Sequence, residues 1–358
     1  MSSPSCSTLP TLHWGVIGTG LAASWFATDL NLPRANAQAR HVIQAIGSSS
    51  IEKGETFAKT HLPGVDVTIY NTYEQVYADT KVDIIYIATP ATFHKKNCLD
   101  AIAAGKHVLC EKPFTITAQE SRDVIAAAKA KGVFLMEGMK IFEDKVIGDV
   151  NRVLCDLSMY MGQLDQIRSR TAPSENPAIP PGIMLEAGVY PVTWGLLALE
   201  KQPGCGEERP QILAASKLCN GVDISTSMIM HYPASGQQAV LSMSMETKLA
   251  SNFCRIEGTK GHIDVEGLVT SHPESFTIFH KSERPESGIP FAFNKAGQKF
   301  KFDQEGWGFH YEADAVALDI AAGRQENAIM PCSETIRVME IVDEVRRQVG
   351  VRFPQDDQ

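Results

Sequence analysis

No run of apolar residues in this chain approaches the ~20 that a bilayer-spanning helix requires, so no membrane span is read. Positive charge is also short: 33 lysines and arginines stand against 42 aspartates and glutamates, a formal net charge of −9. With no basic stripe to neutralise phosphates, neither nucleic acid nor an anionic membrane is an expected partner. The first residues, Met1-Ser2-Ser3-Pro4-Ser5-Cys6, lack the apolar centre of a signal peptide and read as a frayed tail. Cysteines do not pair. They stand singly at 6, 98, 110, 155, 205, 219, 254 and 332, none at CxxC spacing and several inside apolar runs. That pattern predicts reduced, buried thiols rather than a disulfide framework, and hence a cytoplasmic location. The ten histidines form neither an HExxH pair nor a cluster with cysteine, so no metal site is expected. Internal repeats and low-complexity tracts are absent as well.

What remains is an ordinary globular composition, 44% hydrophobic and 21% charged, in a chain of 358 residues. That length favours two domains. Trp14-Gly15-Val16-Ile17 is a short apolar strand, followed at once by Gly18-Thr19-Gly20-Leu21-Ala22-Ala23 and a helical stretch with Trp25, Phe26 and Leu30 on one side. This is GxGxxA between a strand and a helix, the context in which the pattern signals a dinucleotide site. Gly18 allows the tight turn, and Gly20 lets the backbone from Thr19 to Leu21 approach a pyrophosphate. Ala23 keeps the helix close to the sheet. The helix N-terminus adds partial positive charge.

The second strand, Val42 to Ile46, ends in Gly47-Ser48-Ser49-Ser50, where an NAD site usually carries a carboxylate for the ribose 2′-hydroxyl. Ser48, Ser49 and the following Lys53 supply hydroxyls and a cation instead. These suit a 2′-phosphate, so NADP is expected ahead of NAD. A further strand–helix unit covers 67–78. The strand Val82–Ala88 is almost continuously apolar, as in a central parallel strand. It ends in Thr89-Pro90, which turns the chain over the nicotinamide side of the cleft, and His94 follows as a helix-start or cofactor-edge residue rather than a catalyst. A helix from Lys96 to Ala104 leads to Val108-Leu109-Cys110, which stops at Glu111-Lys112-Pro113. Ligands of an open parallel sheet bind outside the carboxyl ends of its strands. Lys112 therefore stands where an ammonium can meet both cofactor and substrate, the plainer alternative being a solvated lysine at a strand end. A capping box, Thr117-Ala118-Gln119-Glu120, opens a helix to Lys131, and Val133 to Glu137 is another apolar strand. Five or six such alternations make residues 1–137 a doubly wound, dinucleotide-binding domain with a parallel sheet.

Residues 138–358 change character. Val222, Ile224, Thr226, Met228 and Met230 share one parity, Leu241, Met243 and Met245 repeat with period two, and Gly258-Thr259-Lys260-Gly261 joins two further strands. This predicts a large, open, mostly antiparallel sheet with one face on a core. The opposite face is read as carrying serines, threonines and methionines, too apolar for a wetted surface, and so as a homodimer face. Two helices close the chain, at 309–322 and 332–349, and they are free to pack back on the first domain. The second chemical constellation is Glu186-Ala187-Gly188-Val189-Tyr190-Pro191, leading into a helical run to Leu199. At helical spacing Glu186 and Tyr190 share a face. A carboxylate beside a phenol can handle a proton, and the phenol's ordinary pKa near ~10 falls if an ammonium such as Lys112 lies against it. The alternative is a buried tyrosine bonded to its own backbone.

Gly18-Thr19-Gly20, Ala88-Thr89-Pro90, Cys110-Glu111-Lys112-Pro113 and Gly188-Val189-Tyr190-Pro191 together resemble the Gfo/Idh/MocA oxidoreductases. The likeness is greatest to the branch of dimeric dihydrodiol dehydrogenases and NADP-dependent D-xylose dehydrogenases, and it covers nearly the whole chain. It implies a Rossmann domain, an α/β domain with an open sheet, a dimer formed through sheet faces, and hydride transfer between NADP(H) and a hydroxyl or carbonyl carbon. It also implies an essential lysine at Lys112 and an acid/base tyrosine at Tyr190, with Glu111 and Lys112 beside the cofactor. Two departures stand out. Glu186 occupies the position where the family usually has aspartate. The stretch between Glu137 and Val150 is also shorter than in that branch, which leaves its usual arginine contact to Lys140, Arg168 or Arg170. The expected function is NADP(H)-dependent redox chemistry on a small polyol, sugar or cyclic metabolite. The shortened wall also admits a repurposed isomerase or cyclase acting on a bulkier metabolite, or a cofactor-sensing binding protein.

Overall fold

A computed structural model of the chain describes residues 9–137, 147–162, 164–168, 182–200, 208–281, 297–302 and 306–357, leaving out the side chain of Gln166. The described chain falls into two compact units. One takes Met1–Thr115, Gln119–Met139 and Glu305–Cys332; the other takes Ile116–Ala118, Lys140–Gln304 and Ser333–Gln358.

The first unit is built on a six-stranded sheet of β1 (Thr11–Ile17), β2 (Arg40–Gly47), β3 (Thr68–Tyr70), β4 (Ile84–Ile87), β5 (His107–Cys110) and β6 (Leu135–Glu137). Every pairing is parallel and the order is β3-β2-β1-β4-β5-β6. All four residues of β4 are buried, which is why the sequence there shows an unbroken apolar run. The connecting helices are α1 (Leu21–Leu30), α2 (Ile51–His61), α3 (Tyr73–Ala78), α4 (His94–Ala103) and α5 (Ala118–Lys131). The strand order reverses between β1 and β4. That reversal opens a crevice at the carboxyl ends of the strands.

The core of this unit is aromatic. Phe26 of α1 stacks on Tyr86 of β4 at 3.7 Å between ring centroids, and Trp14 of β1 meets Phe26 edge-on at 5.0 Å.

The second unit carries an eight-stranded sheet. In chain order its elements are β7 (Val150–Ser158), α6 (Leu164–Arg168), α7 (Ile183–Ala187), α8 (Val189–Leu199), β8 (Gln211–Cys219), β9 (Val222–His231), β10 (Gln238–Ser244), β11 (Asn252–Gly258), β12 (Gly261–Val269), β13 (His272–His280) and β14 (Gln298–Lys301). The order is β14-β13-β12-β11-β7-β10-β9-β8. All neighbours run antiparallel except β7 and β10, which are parallel. The helix α8 approaches the sheet closely at Gly195, where a Cβ would stand 3.1 Å from that of Ala239.

The last two helices divide between the units. In the first, α9 (Phe309–Ala321) is anchored to the end of α1: the buried carboxylate of Asp29 accepts from the amides of Trp307 and Phe309. Further along α9, Asp314 takes a bidentate pair from Arg34 at 2.8 and 3.0 Å and a bond from His41 at 2.9 Å. Burial pushes its carboxyl up, but these partners outweigh burial and hold it below the usual carboxylate range. In the second unit, the Gln348 amide of α10 (Cys332–Val349) bonds both Ile212 O and Ala214 N, covering the edge strand β8.

One expectation for the open sheet is corrected. Met228, Met230, Met243 and Met245 are all buried, on the core parity rather than on the opposite face. The open face is instead made by Ser225, Ser227, Ile229, Val240 and Ser242 with their neighbours. Across it, Leu213, Ile229, Val240 and Leu154 stand in register on four adjacent strands, with Leu213 62% and Val240 37% exposed.

Candidate active site

The glycine turn after β1 is sterically determined. Gly18 has φ +96°, and a Cβ there would lie 2.6 Å from the carbonyl oxygen of Ala88 at the exit of β4. Two backbone bonds lock this approach: Gly18 N donates to Gly47 O at 3.0 Å, and Ala88 N donates to Ile17 O at 3.0 Å. Gly20 differs, because a Cβ there meets nothing within 4 Å. It is the N-cap of α1, with no side-chain cap and no acidic residue in the first turn. The amides at the helix start thus face an open cradle of positive partial charge, a setting for a phosphate. Thr19 is half-buried, Leu21 is 64% exposed, and Ala23 is buried against the sheet.

At the end of β2, Ser48 turns inward. Its Cβ lies 3.5 Å from where a Cβ of Gly54 on α2 would be, and its hydroxyl is buried without a hydrogen-bond partner. Ser49 is exposed and accepts a bond from Lys53 Nζ at 3.1 Å, while Ser50 caps α2 by accepting from Lys53 N at 3.3 Å. A hydroxyl and an ammonium therefore sit together, with no carboxylate at positions 48–50. This donor set fits a ligand that carries a phosphate there.

The strand exits beyond β4 and β5 are knitted together. Thr89 is buried and its Oγ1 accepts from Asn97 Nδ2 at 2.9 Å, while Pro90 is exposed. His94 is wholly buried against backbone carbonyls. Glu111 accepts from the Tyr86 hydroxyl, and the buried Glu137 at the end of β6 accepts from Phe114 N at 3.0 Å. The peptide bond between Lys112 and Pro113 is cis. Burial pushes the thiol of Cys110 well up, so it stays protonated. From Val108 to Ala118 every residue is buried except Lys112.

In the second unit the same economy recurs. Between Gly182 and Tyr190, Glu186 and Tyr190 are half-buried and all the others are buried. The two do not lie on one unbroken helix: Glu186 is in the last turn of α7, Tyr190 is the second residue of α8, and Gly188 stands between the helices. Gly188 keeps helical φ and ψ, and its N–H reaches both Ile183 O and Met184 O, so the one-turn spacing of the pair survives the break. Trp194, one turn further along α8, is also half-buried and donates to Thr270 O at 3.1 Å.

The start of α7 is held by a residue that the sequence reading passed over. Asp223, on β9 and buried, accepts from Met184 N at 2.7 Å and from the Thr226 hydroxyl at 3.3 Å. Its Oδ1 lies 1.9 Å from where a Cβ of Gly182 would be, at φ +117°, so that position admits only glycine. A carboxylate inside the apolar run Val222-Asp223-Ile224 was the available signal.

Burial raises the Asp223 pKa to about 6, against the hydrogen bonds and the Arg346 charge that pull it down. The folded carboxyl thus keeps its proton at a pH where the unfolded one, near the usual 3.8, has lost it. Its contribution to stability is greatest at low pH and is lost as pH rises through about 6. Asp223→Asn removes this slope and can still accept from Met184 N. Between pH 5 and 7.5 the variant is expected to gain roughly 1 kcal/mol on the wild type in urea unfolding. A gap independent of pH would contradict this.

Of the residues named as possible substrate contacts, Lys140 and Arg170 lie outside the described residues. Arg168 is exposed at the end of α6 and pairs with Glu246 at 3.2 Å, which Lys217 also engages.

Residues 12–139 match the family model described as an oxidoreductase family with an NAD-binding Rossmann fold, Gfo/Idh/MocA. The chain is 33% identical to D-xylose 1-dehydrogenase (NADP(+)) of Hypocrea jecorina, over 96% of this chain and 94% of that one. It is 30% identical to trans-1,2-dihydrobenzene-1,2-diol dehydrogenase of Sus scrofa, over 96% and 99% of the two chains. Among solved structures, the aldose-aldose oxidoreductase of Caulobacter crescentus superposes with a TM-score of 0.72 at 21% identity, covering 95% of this chain and 98% of that one. A levoglucosan dehydrogenase in complex with NADH and levoglucosan superposes at 0.75 and 17% identity, covering 95% and 97%. At those identities the two structures speak for the fold.

Proposed function

The chain belongs to the Gfo/Idh/MocA oxidoreductases, and from that premise we propose that it moves hydride between NADP(H) and a hydroxyl-bearing carbon of a small polyol, sugar or cyclic metabolite. The observation that carries this reading is Lys112, the single unburied residue of 108–118, at the carboxyl end of a parallel strand. When bound, the nicotinamide supplies or accepts the hydride. The chain's own groups handle the proton. Tyr190 exchanges it with the substrate hydroxyl, while Lys112 holds the substrate oxygen. Glu186 orients the substrate or the pair.

Gly18, Thr19, Gly20 and Leu21 cradle the pyrophosphate with backbone amides, with Ala23 keeping α1 close. Thr89, Pro90 and Glu111 border the nicotinamide. The relative that names NADP(+) supports the cofactor choice, as do Ser49 and Lys53. We place the enzyme in the cytoplasm, since the described cysteines are free thiols.

The experiment is direct. Purified protein with NADP(+) and either D-xylose or trans-1,2-dihydrobenzene-1,2-diol is expected to generate the absorbance of reduced nicotinamide. Conversion of a sugar without nucleotide turnover would favour a non-redox enzyme, and nucleotide binding without any product would favour a sensor. For cofactor preference, Ser49→Asp with Lys53→Ala replaces hydroxyl and ammonium by a carboxylate. Hydrogen bonds to a charged group contribute about 1.5–3 kcal/mol. The ratio of kcat/KM for NADP over NAD is therefore expected to fall about 10²-fold. An unchanged ratio would remove these two residues from the 2′-phosphate site.

We also propose that the open sheet face pairs two copies of the chain. The in-register row Leu213, Ile229, Val240 and Leu154 supports it, being an apolar strip, exposed at Leu213 and Val240 and half-buried at Ile229 and Leu154. Val240→Asp is expected to convert a dimer into monomers in sedimentation analysis. A wild-type chain that sediments as a monomer at micromolar concentration contradicts the proposal.

A further inference from the structure

The first residue of α4 does something that its position in the sequence does not disclose. His94 has no exposed surface, and both of its ring nitrogens lie against backbone carbonyl oxygens: Nε2 at 2.7 Å from Thr89 O, and Nδ1 at 2.8 Å from Pro113 O. A single imidazole therefore spans the exit of β4 and the residue directly after Lys112. Both ends of the span are secured. Thr89 is held through its hydroxyl by Asn97, further along α4. On the other side, Phe114 N donates to the buried Glu137 carboxylate, and Cys110 Sγ reaches Phe114 O at 3.9 Å.

Buried carbonyls need donors. A ring with one proton donates to one of these two and sets a lone pair against the other, whereas a ring with two protons donates to both. Burial first, and then the Lys112 charge, hold the imidazole's pKa below its ordinary value, while the carbonyls of Thr89, Pro113 and Phe114 pull it back. The ring is thus bonded to the Lys112 turn and feels its charge.

We propose that His94 is a positioning residue for Lys112, its ring N–H bonded to one of the carbonyls of Pro113 and Thr89 and its ring seated against the other, so fixing where the lysine side chain leaves the sheet. The proposal rests on the reading of Lys112 as the catalytic ammonium. It assigns His94 no contact with substrate or cofactor.

The test uses the full chain and two variants. His94→Leu keeps bulk and loses the ring's polar nitrogens, its N–H donor among them. His94→Gln keeps an amide NH2, whose two N–H groups can serve both carbonyls. In nucleotide-free protein, labelling of Lys112 by acetic anhydride is followed by peptide mass spectrometry, with the exposed Lys53 as internal reference. His94→Leu is expected to speed Lys112 labelling severalfold and His94→Gln to return it toward the wild-type rate, with Lys53 unchanged throughout. With NADP and the best substrate found, the Leu variant is expected to lose about 10²-fold in kcat, the usual consequence of a displaced catalytic group, with KM for NADP little altered.

Wild-type labelling and turnover in the Leu variant would overturn the proposal, as would a Gln variant no better than Leu. Should His94→Leu fail to fold, the nitrogen-15 signals of the wild-type ring decide. A slowly exchanging, hydrogen-bonded ring N–H supports the clamp, and ring nitrogens in fast exchange with water refute it. Lys112→Met separates the two claims. If it retains full turnover, the reading of Lys112 fails; if it is inactive beside an unimpaired His94→Leu, only the positioning role falls.

Discussion

Lys112→Met is expected to lower kcat about 10²- to 10⁴-fold while nucleotide affinity stays near that of the wild type, the range that positioned acid–base groups usually supply. The substitution keeps most of the apolar stem and removes the ammonium, with its charge and its three N–H donors. The backbone beneath it is fixed on both sides: β5 pairs with β4 from Ile84↔His107 to Ile87↔Cys110, and with β6 from Val108↔Leu135 to Cys110↔Glu137. Glu111 and Glu137 anchor the residues flanking it through Tyr86 and Phe114. The turn should therefore keep its place, and urea unfolding of the variant separates any change in stability from the loss of turnover.

Tyr190→Phe removes one hydroxyl from a half-buried side chain on α8 and is expected to fall in the same range. If ammonium and phenol act on one proton, the double variant should be scarcely worse than either single one, because groups that work as a unit are not additive. Steady-state rates with a turned-over substrate, together with nucleotide titration of tryptophan fluorescence, measure both quantities. Full turnover in both single variants would end the assignment.

The parts of this molecule that were legible in its sequence are those governed by local rules. The turn Gly18-Thr19-Gly20 needs a positive φ and a close approach, and only glycine supplies both at position 18. The apolar run over β4 marks a strand buried on both faces. The last two helices follow from their 3.6-residue periodicity: 309–322 was expected where Phe309–Ala321 is found, and 332–349 coincides with Cys332–Val349.

What escaped depends on partners distant in the chain. The parallel pairing of β7 with β10 joins residues 86 positions apart, and nothing in either strand announces its neighbour. The methionines went to the wrong face because their thioethers fit a core and a greasy surface equally well, and only the sheet's packing decides. Asp223 reads as a flaw in a strand until Met184 N, 39 residues earlier, is seen to bond it. His94 is legible as the start of a helix, but its bond to Pro113 O, nineteen positions further on, has no local signal.

The Gly18→Ala and Gly20→Ala pair carries the other large expectation, because two glycines of one motif should fail in different ways. At Gly18 the added methyl meets Ala88 O at 2.6 Å, Ala88 C at 2.9 Å and Thr89 N at 3.3 Å, all of them backbone. None of these atoms is free to withdraw. Ala88 N is bonded to Ile17 O, and Thr89 is held by Asn97 and His94. The left-handed φ adds a cost of about 1–3 kcal/mol for any residue with a Cβ. With the steric term included, Gly18→Ala is expected to destabilise the protein by upwards of ~3 kcal/mol and to abolish nucleotide binding with it.

Gly20 has φ −82° and open space around its missing Cβ. Gly20→Ala should therefore unfold at the wild-type urea midpoint and still bind NADP more weakly, since its methyl occupies the room through which a pyrophosphate would approach the amides of α1. Urea unfolding separates the two cases, and nucleotide titration of the folded Gly20 variant completes the comparison. A Gly18→Ala as stable as the wild type would mean that the crossing of β1 and β4 is looser than the bonds around it imply. A Gly20→Ala that binds NADP normally would place the pyrophosphate somewhere other than this turn.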